Sequence, residues 1–231
     1  MKKLVMSLLM TFGIFTMVSA DIGLKIGVSA ELGVMEATGQ EKNTTTLEIN
    51  KSKNVEEALF GKGSFFIEKD LAFLPIPILN RLSFGYDNIT HDLDLGTQRN
   101  VRNISSDAVE QDVPATTNSL EAKITGFETI YATLNLTDWL YVKAGNVTVD
   151  VDTKFMGSAT SNYKKNHSLD GTMVGFGVEK ATDNGLFFRL EYSDYTIDGK
   201  TVTNTGTDSK FAATLNEVSG TTGRISIGKA F

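Results

Sequence analysis

The segment from Ile22 to Val34 places an apolar residue at every second position, and no other feature of the chain limits its fold so tightly. Ile22, Leu24, Ile26, Val28, Ala30, Leu32 and Val34 share one face, and Gly23, Lys25, Gly27, Ser29, Glu31 and Gly33 share the other. A period of two is that of a β-strand. In a helix the same residues would scatter Lys25 and Glu31 among the apolar groups. The polar face mixes glycines with charges of both signs, which suits a narrow polar interior better than bulk water.

The residues before this strand read as a targeting segment. Lys2 and Lys3 form a positive start, Leu4 to Val18 an apolar run, and Val18-Ser19-Ala20 a cleavage signal that would make Asp21 the mature N-terminus. A retained anchor is the competing reading, but the run is short for a spanning helix, which needs ~20 apolar residues. No later stretch is apolar enough either, so an exported chain that enters a membrane does so as strands. The 231 residues allow one β domain; the net charge of -6 and the lack of a basic cluster argue against nucleic acid as a partner. The absence of cysteine excludes disulfides, thiolate catalysis and Cys-ligated metals.

Seven further strands follow in order. Ser64 to Phe73 carries Phe65, Ile67, Leu71 and Phe73 on a face that Lys69 interrupts, opposite Ser64, Glu68 and Asp70. Leu74-Pro75-Ile76-Pro77-Ile78 makes a tight connection, because prolines donate no ladder bonds. Leu79 to Ile89 sets Leu82, Phe84 and Tyr86 against Arg81, Ser83, Gly85 and Asp87. Leu120 to Leu136 sets Ile124, Ile130, Ala132, Leu134 and Leu136 against Lys123, Thr125, Thr129, Tyr131 and Thr133, with Glu128 on the apolar face. After Trp139, Leu140, Val142 and Ala144 oppose Tyr141, Lys143 and Gly145. There a bulge at Gly145-Asn146 would move Val147, Val149 and Val151 to the apolar side. Asp170 to Glu179 sets Val174, Phe176 and Val178 against Met173, Gly175, Gly177 and Glu179; Asp183-Asn184-Gly185 is a hairpin signal. Leu186, Phe188, Leu190 and Tyr192 then oppose Arg189, Glu191 and Ser193, and Ile225, Ile227 and Phe231 oppose Arg224, Ser226, Gly228 and Ala230. Residues 36–62, 91–119, 152–169 and 198–214 read as long polar loops, although Thr44 to Ile49 could add a hairpin and bring the count to ten.

A secreted sandwich would also alternate. Connections that run long, short, long, short favour an antiparallel up-and-down transmembrane β-barrel of eight strands, with short periplasmic turns and four long extracellular loops. In lipid, strands satisfy their backbone only when the sheet closes, and eight strands enclose a lumen that side chains can fill. The expected lumen charges are Lys25, Glu31, Glu68, Asp70, Arg81, Asp87, Lys123, Lys143, Glu179, Arg189, Glu191 and Arg224. Pairing them would plug the barrel, since unpaired buried charges are costly. Trp139 and Phe231 fall at the short-turn end, where an aromatic girdle belongs.

The C-terminal Gly223-Arg-Ile-Ser-Ile-Gly-Lys-Ala-Phe231 resembles the last strand of bacterial outer-membrane barrels, with Phe231 terminal and Ile225 and Ile227 on its apolar face. Lys229 departs from the usual apolar residue two before the end. More broadly, the chain resembles the small eight-stranded OmpA/OmpX-like class. Leu134-Asn-Leu-Thr-Asp-Trp-Leu-Tyr-Val-Lys-Ala-Gly145 and Asp183-Asn-Gly-Leu-Phe-Phe-Arg-Leu-Glu191 are similar to segments of outer-membrane barrels of marine alphaproteobacteria. The resemblance implies outer-membrane lipid, periplasmic chaperones and the barrel-assembly machinery as partners, and location in the bacterial outer membrane.

Chemistry is thinly represented. His91 has Asp92 and Asp94 beside it, which could orient an imidazole, but spacing places no nucleophile near it or near His167. Solvated histidines and no enzymatic activity are expected. Asp150 with Asp152, Asp92 with Asp94, and Asp194 with Asp198 offer oxygen ligands for calcium without any repeat or EF-hand signature, so no metal or cofactor is expected. The expected role is a plugged barrel that anchors polar surface loops; a narrow porin-like channel for small solutes is the alternative.

Overall fold

The computed structural model describes residues 23–43, 54–71, 76, 78–102, 116–156, 165–204 and 211–231. They form β1 (Leu24–Asn43), β2 (Asn54–Asp70), a 3-10 turn (Leu79–Arg81), β3 (Leu82–Ile89), β4 (Leu93–Arg102) and β5 (Thr116–Asn135). β6 (Leu140–Met156), β7 (Asn166–Ala181), β8 (Leu186–Ile197), β9 (Lys200–Thr203), β10 (Phe211–Leu215) and β11 (Val218–Ala230) follow. Each of β1, β2, β3, β5, β6, β7, β8 and β11 pairs antiparallel with its neighbours, and β11 returns to β1, closing an eight-stranded barrel. β4 continues β3 along β5, and β9 and β10 prolong β8 and β11.

One end of the barrel is compact. Its connections include residues 136–139 and a hairpin turn in which Gly185 takes φ 81, the positive dihedral that Asn-Gly supplies. There the first and last strands are tied together: the Phe231 amide donates to the Leu24 carbonyl at 2.8 Å, and the Leu24 amide to the Phe231 carbonyl at 3.2 Å. At the other end the strands run on through much of what the sequence suggests is loop. Their polar sequences make such strand extensions look like loops, yet β1 reaches Asn43, β2 begins at Asn54, and β5 begins at Thr116. Residues 44–53, including the hairpin expected at Thr44 to Ile49, lie outside the described residues, as do the targeting segment and Phe73.

The phase change expected at Gly145-Asn146 does not occur. Pairing passes without a break through Tyr131↔Gly145 and Ile130↔Asn146, and Val147 and Val149 point inward with Tyr141 and Lys143. The bulge is instead on β5, where Thr125 is the extra residue between the pairs Ile124↔Val151 and Gly126↔Asp150. It turns Ile124 into the barrel and Lys123 out of it.

Behind both differences is one pattern: the wall changes polarity partway along its length. Toward the turn end, apolar side chains face outward all round, with Leu32 68 %, Ile225 62 % and Val174 57 % exposed. Toward the far end the outward residues become Glu36, Asn88, Glu128, Asn146, Asp170 and Asp194, all exposed or partly so. There the inward face becomes apolar, with Ile89, Phe127, Val147, Met173, Tyr195 and Val218 buried. The far half is therefore built like a barrel in water and the turn half like a barrel in lipid.

Candidate functional site

Four glycine–aromatic pairs shape the turn half of the lumen. Gly27 is registered against Phe66, Gly85 against Tyr131, Gly177 against Tyr141 and Gly228 against Phe187. Each ring lies over its glycine so closely that a Cβ there would come within 2.2 to 2.5 Å of ring atoms. The rings are thus held flat against the wall, leaving the axis to charged side chains.

Arg189 occupies the middle of this layer. It forks onto Glu68 at 2.8 and 2.9 Å and reaches Glu179 through Nε at 2.5 Å. Its guanidinium lies 5.0 to 5.5 Å from the ring centroids of Phe66, Tyr141 and Phe187. Glu179 also accepts from Lys25 at 2.7 Å, and Glu68 from the Tyr131 hydroxyl at 3.3 Å. Beside them Lys143 donates to both oxygens of Glu191 at 3.1 and 3.3 Å, and the Tyr141 and Ser193 hydroxyls donate to Glu191 at 2.9 and 3.2 Å. Arg224 pairs with Asp87, which also accepts from Ser64 at 3.1 Å.

The last pair sits at the polarity boundary. Lys62 and Glu31, each 1 % exposed, stand 3.4 Å apart, and Arg224 lies 3.9 Å from the same carboxylate. No hydrogen bond reaches either Glu31 oxygen. The Lys62 ammonium lies 3.6 Å from the Phe127 ring centroid and 4.9 Å from that of Tyr195. Beyond it the lumen is apolar: Phe60, Ile89, Leu93, Ile124, Phe127, Val147, Val149, Leu169, Met173 and Tyr195 belong to one buried cluster, Phe127 being 0 % exposed. The paired groups are five cations (Lys25, Lys62, Lys143, Arg189, Arg224) and five anions (Glu31, Glu68, Asp87, Glu179, Glu191), so their charges cancel.

Lys25, Glu31, Glu68, Asp87, Lys143, Glu179, Arg189, Glu191 and Arg224 thus converge as the alternation predicts. Arg81 and Lys123 do not. Arg81 is exposed in the 3-10 turn and donates to the Leu136 carbonyl at 3.1 Å. Asp70 ends β2 at the mouth, its amide bonded to Gly23 at 2.8 Å. The Thr125 bulge puts Lys123 outside, 2.6 Å from Asp92. Lys62 joins the lumen network although the alternation of its segment is hard to see. Phe60, Lys62, Ser64, Phe66 and Glu68 do keep period two, but Gly61 and Gly63 leave its outer face blank.

A cavity of about 290 Å³ opens at the turn-end mouth between Arg81, Asp138, Trp139 and Glu179. His91 is exposed beside Thr90, their side chains 3.3 Å apart, and His167 lies on β7. Among the described residues no three of the acids and histidines gather as a metal site requires.

A turn half whose outward face is apolar all round, enclosing a charged lumen in a sheet without a free edge, is what a bilayer demands of strands that cross it. The chain is a transmembrane β-barrel. No protein-family model matches it, and no curated protein does. Solved structures similar to it include the outer membrane protease OmpT of Escherichia coli, at 8% identity and TM-score 0.44 over 94% of this chain and 100% of that one. The outer membrane protein OprG of Pseudomonas aeruginosa is similar at 7% identity and TM-score 0.44 over 89% and 96%. The attachment invasion locus protein Ail of Yersinia pestis is similar at 9% identity and TM-score 0.37 over 90% and 98%.

Proposed function

We propose that this protein is an exported bacterial outer-membrane barrel of the small OmpA/OmpX-like class. Its lumen is closed, and its task is to anchor a polar crown at the cell surface for envelope integrity or surface contact. The observation that carries this reading is the two-layer filling of the lumen, a charge-balanced network beneath an apolar plug. Solute would have to break buried ion pairs and then part a packed core, and both are costly. The reading also has the compact end facing the periplasm, Trp139 in the girdle, and the assembly machinery recognising Ile225, Ile227 and Phe231. It assigns no catalysis to His91 or His167. The runner-up, a narrow channel for small solutes, draws support from the looseness of the Glu31 pairs.

Planar bilayers carrying refolded Asp21 to Phe231, with insertion verified on the same preparation, test the proposal. We expect no discrete current steps. Reproducible unitary currents would replace the anchor reading with the channel.

A further inference from the structure

The apolar belt of the outer wall has a level floor and an uneven ceiling. The strands end together at the turn end, where Lys69, Lys180 and Lys229 each stand one residue inside the ends of β2, β7 and β11 and set the floor at headgroup depth. Above that floor β3 carries three outward apolar residues, Leu82, Phe84 and Tyr86, before Asn88. β6 carries Leu140, Val142 and Ala144 before Asn146, and β7 carries Val178, Phe176 and Val174 before Thr172. β1 carries six, Leu24, Ile26, Val28, Ala30, Leu32 and Val34, before Glu36. Beside it the outer face of β2 holds no charge from Ile67 up to Leu59, the ladder partner of Val34. At ~3.3 Å per residue and a tilt of about 40°, the apolar face climbs about 25 Å on β1 and about 10 Å on β3, β6 and β7. Leu59 and Val34 are 81 % and 42 % exposed at a height where β6 and β7 present Thr148 and Asp170.

We infer that the barrel meets the bilayer as a wedge, with lipid of ordinary thickness against β1 and β2 and a locally thinned bilayer against β3, β6 and β7. The apolar band of a barrel is usually about 25 Å tall, so β1 matches a bilayer that the short wall does not. Polar groups that hold one another fix the ceiling of the short wall. Asn88 donates to the Tyr86 hydroxyl at 3.0 Å and to Glu128 at 3.4 Å, and the Thr148 hydroxyl donates to Asp170 at 3.3 Å. Drawing acyl chains up over these carboxylates costs more than compressing the chains below them. Tilting the barrel does not level the belt, because it moves the floor out of line by as much as it brings the ceiling in. The strip at Leu32, Val34 and Leu59 is covered by acyl chains, since it continues the belt from Leu24 to Ala30 without a break. A second copy packed there would bring together four carboxylates, because Glu36 and Glu57 are ladder partners at the top of the strip. The wedge is independent of whether the lumen conducts, so it stands or falls apart from the proposed anchor role.

Single cysteines carrying an environment-sensitive fluorophore read the wedge in vesicles of dilauroyl phosphatidylcholine, with folding of each variant checked by cold gel electrophoresis. Val34→Cys and Leu59→Cys should be quenched by a lipid with a spin label on its acyl chain and spared by iodide. Asn146→Cys and Thr172→Cys should show the reverse, although they stand fewer residues above the turns. Iodide quenching at Val34→Cys and Leu59→Cys would put the strip outside the bilayer and overturn the wedge. Protection of both from either quencher would show a second copy covering the strip, and acyl-chain quenching at Asn146→Cys and Thr172→Cys would show a level ceiling; each overturns it too. The thinning has its own readout in the unlabelled barrel, whose urea midpoint should be higher in dilauroyl than in dioleoyl phosphatidylcholine vesicles. Asn146→Leu combined with Thr172→Leu, which raises the short wall, should narrow that gap. Equal midpoints, or a higher one in the longer lipid, would remove the thinned bilayer.

Discussion

The Lys143–Glu191 pair shows how little freedom single residues have in this lumen. Both groups are buried, and Glu191 is held by three donors. Removing one partner leaves an ion without a counter-charge, so Glu191→Leu should cost about 3–5 kcal/mol. Adding Lys143→Met should recover most of that loss, because two apolar groups can replace a buried pair with little net change. Urea unfolding of the refolded barrel in vesicles measures both. Glycine gives a second contrast in the same assay. A Cβ at Gly85 would come within 2.2 Å of the Tyr131 ring, whereas one at Gly223 meets nothing within 4 Å. Gly85→Val should destabilise by about 1–3 kcal/mol, and Gly223→Val should be neutral or stabilising.

Among the elements, β5 is governed by a single inserted residue. Deleting Thr125 would restore plain pairing with β6 and rotate everything before it, sending Lys123 toward the apolar plug and Ile124 to the outside. We expect the variant to lose the compact, heat-modifiable band that folded barrels give in cold gel electrophoresis. β6 marks how far the alternation is legible in sequence and where it stops. From Leu140 to Gly145 the rule of apolar out, polar in holds, and every charge it assigned to the lumen is there. From Asn146 the alternation continues with its polarity exchanged, and a rule that equates apolar with outward converts that exchange into a bulge. The same exchange makes the far end of β1 resemble a loop, since Glu36 says nothing locally about a strand standing in water. Only the ladder with the neighbouring strand separates a phase shift from a change of surroundings.

For the whole molecule, the level of the polarity change is the level at which the barrel leaves the bilayer. The chain has no cysteine, so single replacements can map that level without background. Asp170→Cys should react with a membrane-impermeant maleimide on intact cells and Val174→Cys should not, although both side chains face outward on β7. The reverse result would invert the barrel's direction. The polarity change also acts as a parity check on assembly. Sliding any of these strands by one residue moves charges into lipid at one end and charges into the plug at the other, and a slip by two shifts the boundary itself. Near-correct arrangements are thus penalised twice, and the intended closure stands apart from its neighbours without a separate device to mark it.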